Sequence, residues 1–362
     1  MQSKLSKNMT VLLVLLCGVC LFGCAGHDTG KKVVFTTGFA KDEVFRINKD
    51  SCTLPEFMVY LTNMQNQYER VYGSEIWQKD LAGANLKHSI KENALARIAQ
   101  IKVMNLLAEQ RSISLTVQEQ DLVKKAAQQY YTSLNETERG SLSVDEDVIR
   151  GIYEEYALAN KLYHYIIKDV NPEISDDEAR TITVQHILFK NYSLNGKGER
   201  VPLSKAEKQK VYDRALAVEK MAQSNIVFEQ LIEQYSEDKI GTYSFRQGEM
   251  DPAFEKASFE LGNGEISDVI EGKSGYHIIK CISTFDRDQT DLNKVKIVEE
   301  RKNEVFNQVY DEFLVTLVKQ LNQNLWDKIT FIQDERVTTY NFFEIYEQLF
   351  ETNQTNQTNQ TN

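Results

Sequence analysis

The chain holds five histidines, and two of them stand in β-rich stretches. His186 lies in Val184-Gln185-His186-Ile187-Leu188-Phe189, and His277 in Ser274-Gly275-Tyr276-His277-Ile278-Ile279-Lys280. Between them come Ser236-Glu237-Asp238 and a run from Met250 through Phe254 to Phe259. Imidazoles beside a carboxylate can move protons, hold a metal or fix a hydrogen-bond network. A metal set drawn from His186, Asp238, His277 and Cys281 has no ligand-spacing signature, so neither a metal nor a cofactor is expected. A single histidine on a strand is by itself an ordinary core residue. Met250 and Phe254, four apart, share one face of a short helix and in isolation read as core.

Those residues need elements to position them. Residues 181–189 alternate and form a strand, and 191–202 form a polar loop with Gly196 and Gly198. Ser204-Lys205-Ala206-Glu207 is a capping box that opens a helix reaching residue 225. Residues 227–235 and 252–259 make shorter helices. After the turn at Gly262-Asn263-Gly264, strands follow near 266–270 and 276–282. The result over 181–283 is a compact α+β domain, a small sheet with flanking helices.

Before it the chain is mainly α-helical. A mixed segment, 33–47, has room for one strand. Thr53-Leu54-Pro55-Glu56 caps a helix with Pro in its first turn. A second helix covers 84–110, a third opens at Thr116 with Glu119, a fourth at Ser143 with Glu146, and Ser175 with Glu178 caps a short turn. After a charged linker, 283–290, residues 291–326 read as one long helix, and Asn341-Phe342-Phe343 begins a last apolar helix. The stripe on 291–326 has no local partner. The economical solution packs it on the N-terminal helices, so that 33–180 and 291–350 make one domain with 181–283 inserted; the alternative is self-association as a coiled coil in a homodimer, and the two are compatible.

The segments around His186, Asp238, Met250–Phe259 and His277, in that order, resemble the parvulin family of peptidyl-prolyl isomerases. The resemblance implies that His186 and His277 are the central histidine pair, with Asp238 near the reacting amide and Ser274 beside the second histidine. It makes Met250 and Phe254 the apolar wall around the proline ring, supported by Phe259. The family's Gly-Gly-Asp-Leu-Gly segment is replaced by a shorter 240–245, in which Tyr243 is the nearest counterpart of the pocket-lining leucine. Gly272 stands where the family commonly has Thr. Lys197 and Arg200 are scattered in the polar loop, so no phosphate requirement is expected. The layout before 181, including Tyr72-Gly73-Ser74-Glu75-Ile76-Trp77, is similar to the SurA/PrsA class of extracytoplasmic foldases. That implies a helical chaperone domain with an inserted isomerase, acting on unfolded or partly folded exported polypeptides with X-Pro bonds. The alternative is a chaperone that only holds clients, its parvulin domain weakened and used for peptide binding.

The ends say where such a protein works. Lys4 and Lys7 precede a short apolar run, and Leu21-Phe22-Gly23-Cys24 matches a lipobox, so 1–23 read as a lipoprotein signal peptide, Cys24 as the lipidated residue and 24–32 as a tether. An uncleaved anchor or a plain secretory signal are the alternatives. Two acyl chains on Cys24 suffice for stable anchoring, which places the protein on the extracytoplasmic face of the cell membrane. The formal charge of −11 excludes a nucleic-acid footprint. Cys52 and Cys281 read as isolated apolar residues. The polar repeat of 351–362 has nothing to bury and reads as disordered.

Overall fold

In the computed structural model, residues 38–78, 86–224 and 226–358 are described, with side chains as far as 350. The signal at 1–23, Cys24 and the tether at 24–32 lie outside them. The chain divides into two compact units: residues through Lys168 together with those from Phe306 onward, and Asp169–Val305.

The first unit opens with an antiparallel hairpin, β1 (Glu43–Ile47) and β2 (Asp50–Thr53). Thr53 ends the hairpin and N-caps α1 (Leu54–Tyr72), accepting from the Glu56 amide. A 3-10 turn at Ser74–Gln78 follows, then α2 (Leu86–Gln110) and α3 (Val117–Ser133), the last opened by the reciprocal capping box of Thr116 and Glu119. The expected opening of a fourth helix by Ser143 with Glu146 is corrected by the next two caps. Asn135 and Glu138 form a second capping box that opens α4 (Glu136–Leu142), a helix the apolar periodicity does not reveal. Ser143 takes the left-handed conformation that ends α4, at φ 54°, and Asp145 caps α5 (Glu146–Ile167). Tyr60, Tyr130 and Tyr153 are fully buried among these helices. Lys102 is buried too, its ammonium 3.1 Å from Glu56 and 2.6 Å from Glu155.

The second unit begins with the short α6 (Asp176–Ala179) and β3 (Thr181–Lys190). The expected polar loop contains a hairpin, β4 (Tyr192–Leu194) with β5 (Arg200–Pro202). The Ser204–Glu207 capping box opens α7 (Lys205–Ala222), and α8 (Phe228–Tyr235) follows. The shortened 240–245 stretch that carries Tyr243 supplies most of a strand, β6 (Thr242–Arg246). Then come α9 (Pro252–Glu260), β7 (Ile270–Gly272) and β8 (Gly275–Ser283). Where a strand was expected near 266–270, Ile266 makes only a single bridge to Lys280. The sheet is antiparallel in the order β6-β3-β8-β7. Strand alternation splits its faces. Ile187, Phe189 and Ile278 pack with Ala215 and Val218 of α7 and Phe228 of α8. Ile182, Val184, Phe245 and Ile279 pack with Phe254 of α9.

The unit boundary falls inside α10 (Arg287–Leu314), which starts within the expected linker. The single helix expected over 291–326 ends at Leu314. The chain extends as β9 (Lys319–Leu321), pairing with β1 at Phe45↔Leu321 and Arg46↔Gln320, before α11 (Gln323–Trp326). The open edge of β1 offers backbone hydrogen bonds that override the helical spacing of Leu317, Leu321 and Leu325. α12 (Phe342–Thr358) runs on into the repeat expected to be disordered, because adding a residue to a formed helix is far easier than starting one. Phe306, Tyr310 and Leu314 of α10 are buried. Cys52 and Cys281 are free and buried. Among the described residues no helix is long and apolar enough to cross a membrane.

Candidate active site

Register brings the two histidines together. His186 opposes Ile279 across β3 and β8, and His277 opposes Leu188, so the imidazoles are diagonal neighbours on one face. Their rings lie nearly parallel, 5.3 Å apart, and the Nδ1 atoms are 3.1 Å apart. Both residues are buried, at 3% and 7% exposure. Asp238 comes from the loop after α8, and hydrogen bonds to β3 hold that loop. The Leu188 amide donates to Ser236 Oγ, the Glu237 amide to the Leu188 carbonyl, and the His186 amide to the Gly241 carbonyl. Asp238 Oδ2 thereby sits 3.1 Å from His186 Nε2 and accepts from the Tyr243 hydroxyl at 2.8 Å. Tyr243 reaches it from β6, opposite Val184, its ring edge-on to His186 at 5.2 Å.

This line of groups has one consistent proton arrangement. Burial works to raise the Asp238 carboxyl, but the Ile240 amide, the Tyr243 hydroxyl and His186 outweigh it and hold it below the usual range. As an ionised acceptor it requires the proton of His186 on Nε2, which leaves His186 Nδ1 to accept. His277 then donates from Nδ1, and its Nε2 remains an acceptor. Both imidazoles are neutral at pH 7. Burial lowers His186 despite Asp238, and burial together with the neighbouring imidazole lowers His277 to about 4. The Tyr243 hydroxyl is pushed up to about 12 by burial and by Asp238.

The apolar side of the site is Phe254. Its ring meets His277 at 5.1 Å and His186 at 5.5 Å, and it rests on Phe245, which Phe259 supports at 5.9 Å. Met250 packs on the same cluster but precedes α9, whose cap is Asp251, so it does not share a helix face with Phe254 as expected. Ser274 lies in the β7–β8 turn, and among the described residues its hydroxyl makes no hydrogen bond to the histidines. Gly272 faces the free His277 nitrogen: a Cβ there would lie 3.2 Å from His277 Nε2 and from Asp251 Oδ1. Asp251, the Ser236 hydroxyl and the Gly241 carbonyl were not singled out in the sequence. Only Asp251, an N-cap before Pro252, carried any local signal. Among the described residues no group of histidine, cysteine and acidic side chains is arranged to hold a metal ion.

A pair of neutral imidazoles, an ionised carboxylate and an aromatic wall make an environment that is apolar on one side and hydrogen-bonding on the other. Residues 186–283 match the protein family described as Rotamase: PPIC-type PPIASE domain. Over 337 residues the chain is 25% identical to the foldase protein PrsA of Caldanaerobacter subterraneus, covering 91% of this chain and 100% of that one. It is 23% identical over 364 residues to the foldase protein PrsA of Clostridium botulinum strain Langeland, covering 88% and 99%. Among solved structures it is similar to the PrsA peptidylprolyl isomerase of Bacillus cereus, at 19% identity and a TM-score of 0.35, covering 73% of this chain and 93% of that one. Residues 186–283 are a parvulin-type peptidyl-prolyl cis-trans isomerase domain, carried in a PrsA-like chain.

Proposed function

We propose that the face bearing His186, His277 and Phe254 is where X-Pro bonds of exported polypeptides are twisted, and that the helical unit holds those polypeptides as a foldase does. Rotation about the amide meets a barrier of about 18–20 kcal/mol and takes tens to hundreds of seconds unaided. The twisted amide has lost resonance and is less charge-separated than the planar one, so an apolar, water-poor wall favours it relative to water. Met250 and Phe254, with Phe259 behind, would enclose the proline ring. Asp238, His186 and His277 would form a fixed polar line beside the amide, with Ser274 and Tyr243 at its margins. The observation that carries this reading is the line Asp238–His186–His277 lying against the Phe254 ring. A lipid on Cys24 would hold the protein at the outer face of the membrane, a role supported by the lipobox. Self-association, the alternative reading of 291–326, would have exposed Leu292 and Val295 to work with.

A second reading is favoured by one feature. Tyr243 is tied to Asp238, and Gly272 offers His277 no hydroxyl, so the domain could bind peptides while turning them over slowly. Prolyl isomerisation of short X-Pro peptides, by protein starting after Cys24, separates the two. Catalysis is expected, and Asp238→Ala should lower kcat/KM about tenfold or more through loss of a charge-assisted hydrogen bond. A wild-type rate equal to the uncatalysed one, with aggregation of an unfolded client still suppressed, would establish the holding role instead.

A further inference from the structure

Residues 331–341 of the first unit have no helix or strand of their own, yet they are held closely, mostly through their main chain. Three successive α1 side chains donate to their carbonyls: Gln65 to Ile332 at 2.9 Å, Asn66 to Thr339 at 2.8 Å and Gln67 to Tyr340 at 3.3 Å. Asn135 donates to the Arg336 carbonyl at 2.8 Å. From the other side Glu138, only 1% exposed, accepts the amides of Thr338 and Thr339, both at 2.8 Å, and the Thr339 hydroxyl at 2.9 Å. At one end the Phe331 ring stands edge-on against Trp77 at 4.9 Å. Of these hydrogen bonds, only the one to the Thr339 hydroxyl depends on the identity of a held side chain.

Side-chain amides can do more than they do here. Asn and Gln can donate to a peptide carbonyl and accept from a peptide N–H at once. Gln65 Oε1 and Asn66 Oδ1 are buried and have no protein partner, and the same is true of Thr62 Oγ1 on the same helix. A buried acceptor left unmatched is unfavourable. The resident segment therefore uses the donor half of Gln65 and Asn66 and leaves the acceptor half idle. An extended strand in a better register would use both.

We propose that this α1–α4 groove is a binding site for extended, unfolded polypeptide, read through its backbone, and that residues 331–340 are a resident strap which such a polypeptide displaces. The inference rests on the foldase reading above and gives its holding function a location. It accounts for a groove lined by amides and one carboxylate, which suits clients of unrelated sequence.

The test uses the full chain and a reduced, carboxymethylated client protein with no fold of its own. Binding is followed by fluorescence anisotropy, and hydrogen exchange is read at the Thr338 and Thr339 amides. At saturating client these two amides should exchange faster, as they are released from Glu138. Thr338→Pro removes one of them while leaving the groove intact, and should tighten client binding about tenfold, because a weakened competitor raises the fraction of open groove. Client that binds while both amides stay equally protected would overturn the strap and leave the foldase reading standing. Absence of any client binding would overturn both. If Thr338→Pro fails to fold, exchange on the unaltered chain still decides.

Discussion

At the scale of single residues, the histidine pair makes acid a specific hazard. Burial lowers His277 to about 4, and His186 is lowered as well. In an unfolded chain both would titrate near 6.5. Between those values the unfolded chain binds more protons than the folded one, so stability is full above about pH 6.5 and drains away as pH falls toward 4. The share from His277 is roughly 3 kcal/mol at most. Urea unfolding of His277→Gln should therefore lose less stability between pH 7 and 4.5 than the unaltered chain, and equal losses would contradict the assignment. Asp238 is depressed in the folded state, so its contribution is lost only at still lower pH and does not blur the comparison. Both histidines were legible in the sequence because their flanks are distinctive. The direction of the protons was not, since it depends on Asp238 reaching His186 and on Tyr243 reaching Asp238, contacts set by how β6 lies on β3.

At the scale of elements, the site depends on the register of β8, and Gly275 guards that register. Its φ of 144° suits glycine, and a Cβ there would fall 2.0 Å from the Phe189 carbonyl oxygen. The clash is with backbone, so no rotamer change relieves it. Gly275→Ala should push β8 off β3 near Lys190, separate the imidazoles and destabilise the second unit by about 3 kcal/mol or more. Thermal unfolding and isomerase activity should fall together, and a variant of unchanged melting temperature would refute the account. The helices were largely legible because caps are local: Thr53, Thr116, Ser175 and Ser204 each accept from the amide three residues on. β2, β4, β5 and β9 were not, and β7 was expected a few residues too early. A strand of three or four residues carries little pattern of its own, and its stability comes from a partner elsewhere in the chain.

At the scale of the whole molecule, the two units differ in how they are closed. The second is one continuous stretch with both sheet faces covered from within. The first is assembled from the two ends of the chain. Phe342 stacks on Tyr153 at 4.2 Å and meets Tyr130 edge-on at 5.2 Å, while its carbonyl accepts from the Tyr153 hydroxyl and its amide donates to Asn63. Phe343 and Tyr346 pack on Tyr156, and β9 covers β1. Removing residues after 305 would expose Phe342, Phe343 and Tyr346 partners at a loss of about 2–3 kcal/mol for each ring, and would leave the Tyr153 hydroxyl and Asn63 without those partners. The stability of a typical domain is only about 5–15 kcal/mol, so this loss is decisive. A fragment of residues 169–305 should therefore fold alone and isomerise short X-Pro peptides at close to the rate of the full chain. A fragment of residues 38–168 should not show a cooperative unfolding transition unless 306–358 is supplied. Circular dichroism melts and peptide assays on both fragments test this. A cooperative transition in 38–168 alone would mean that the C-terminal segment decorates the first unit rather than completing it.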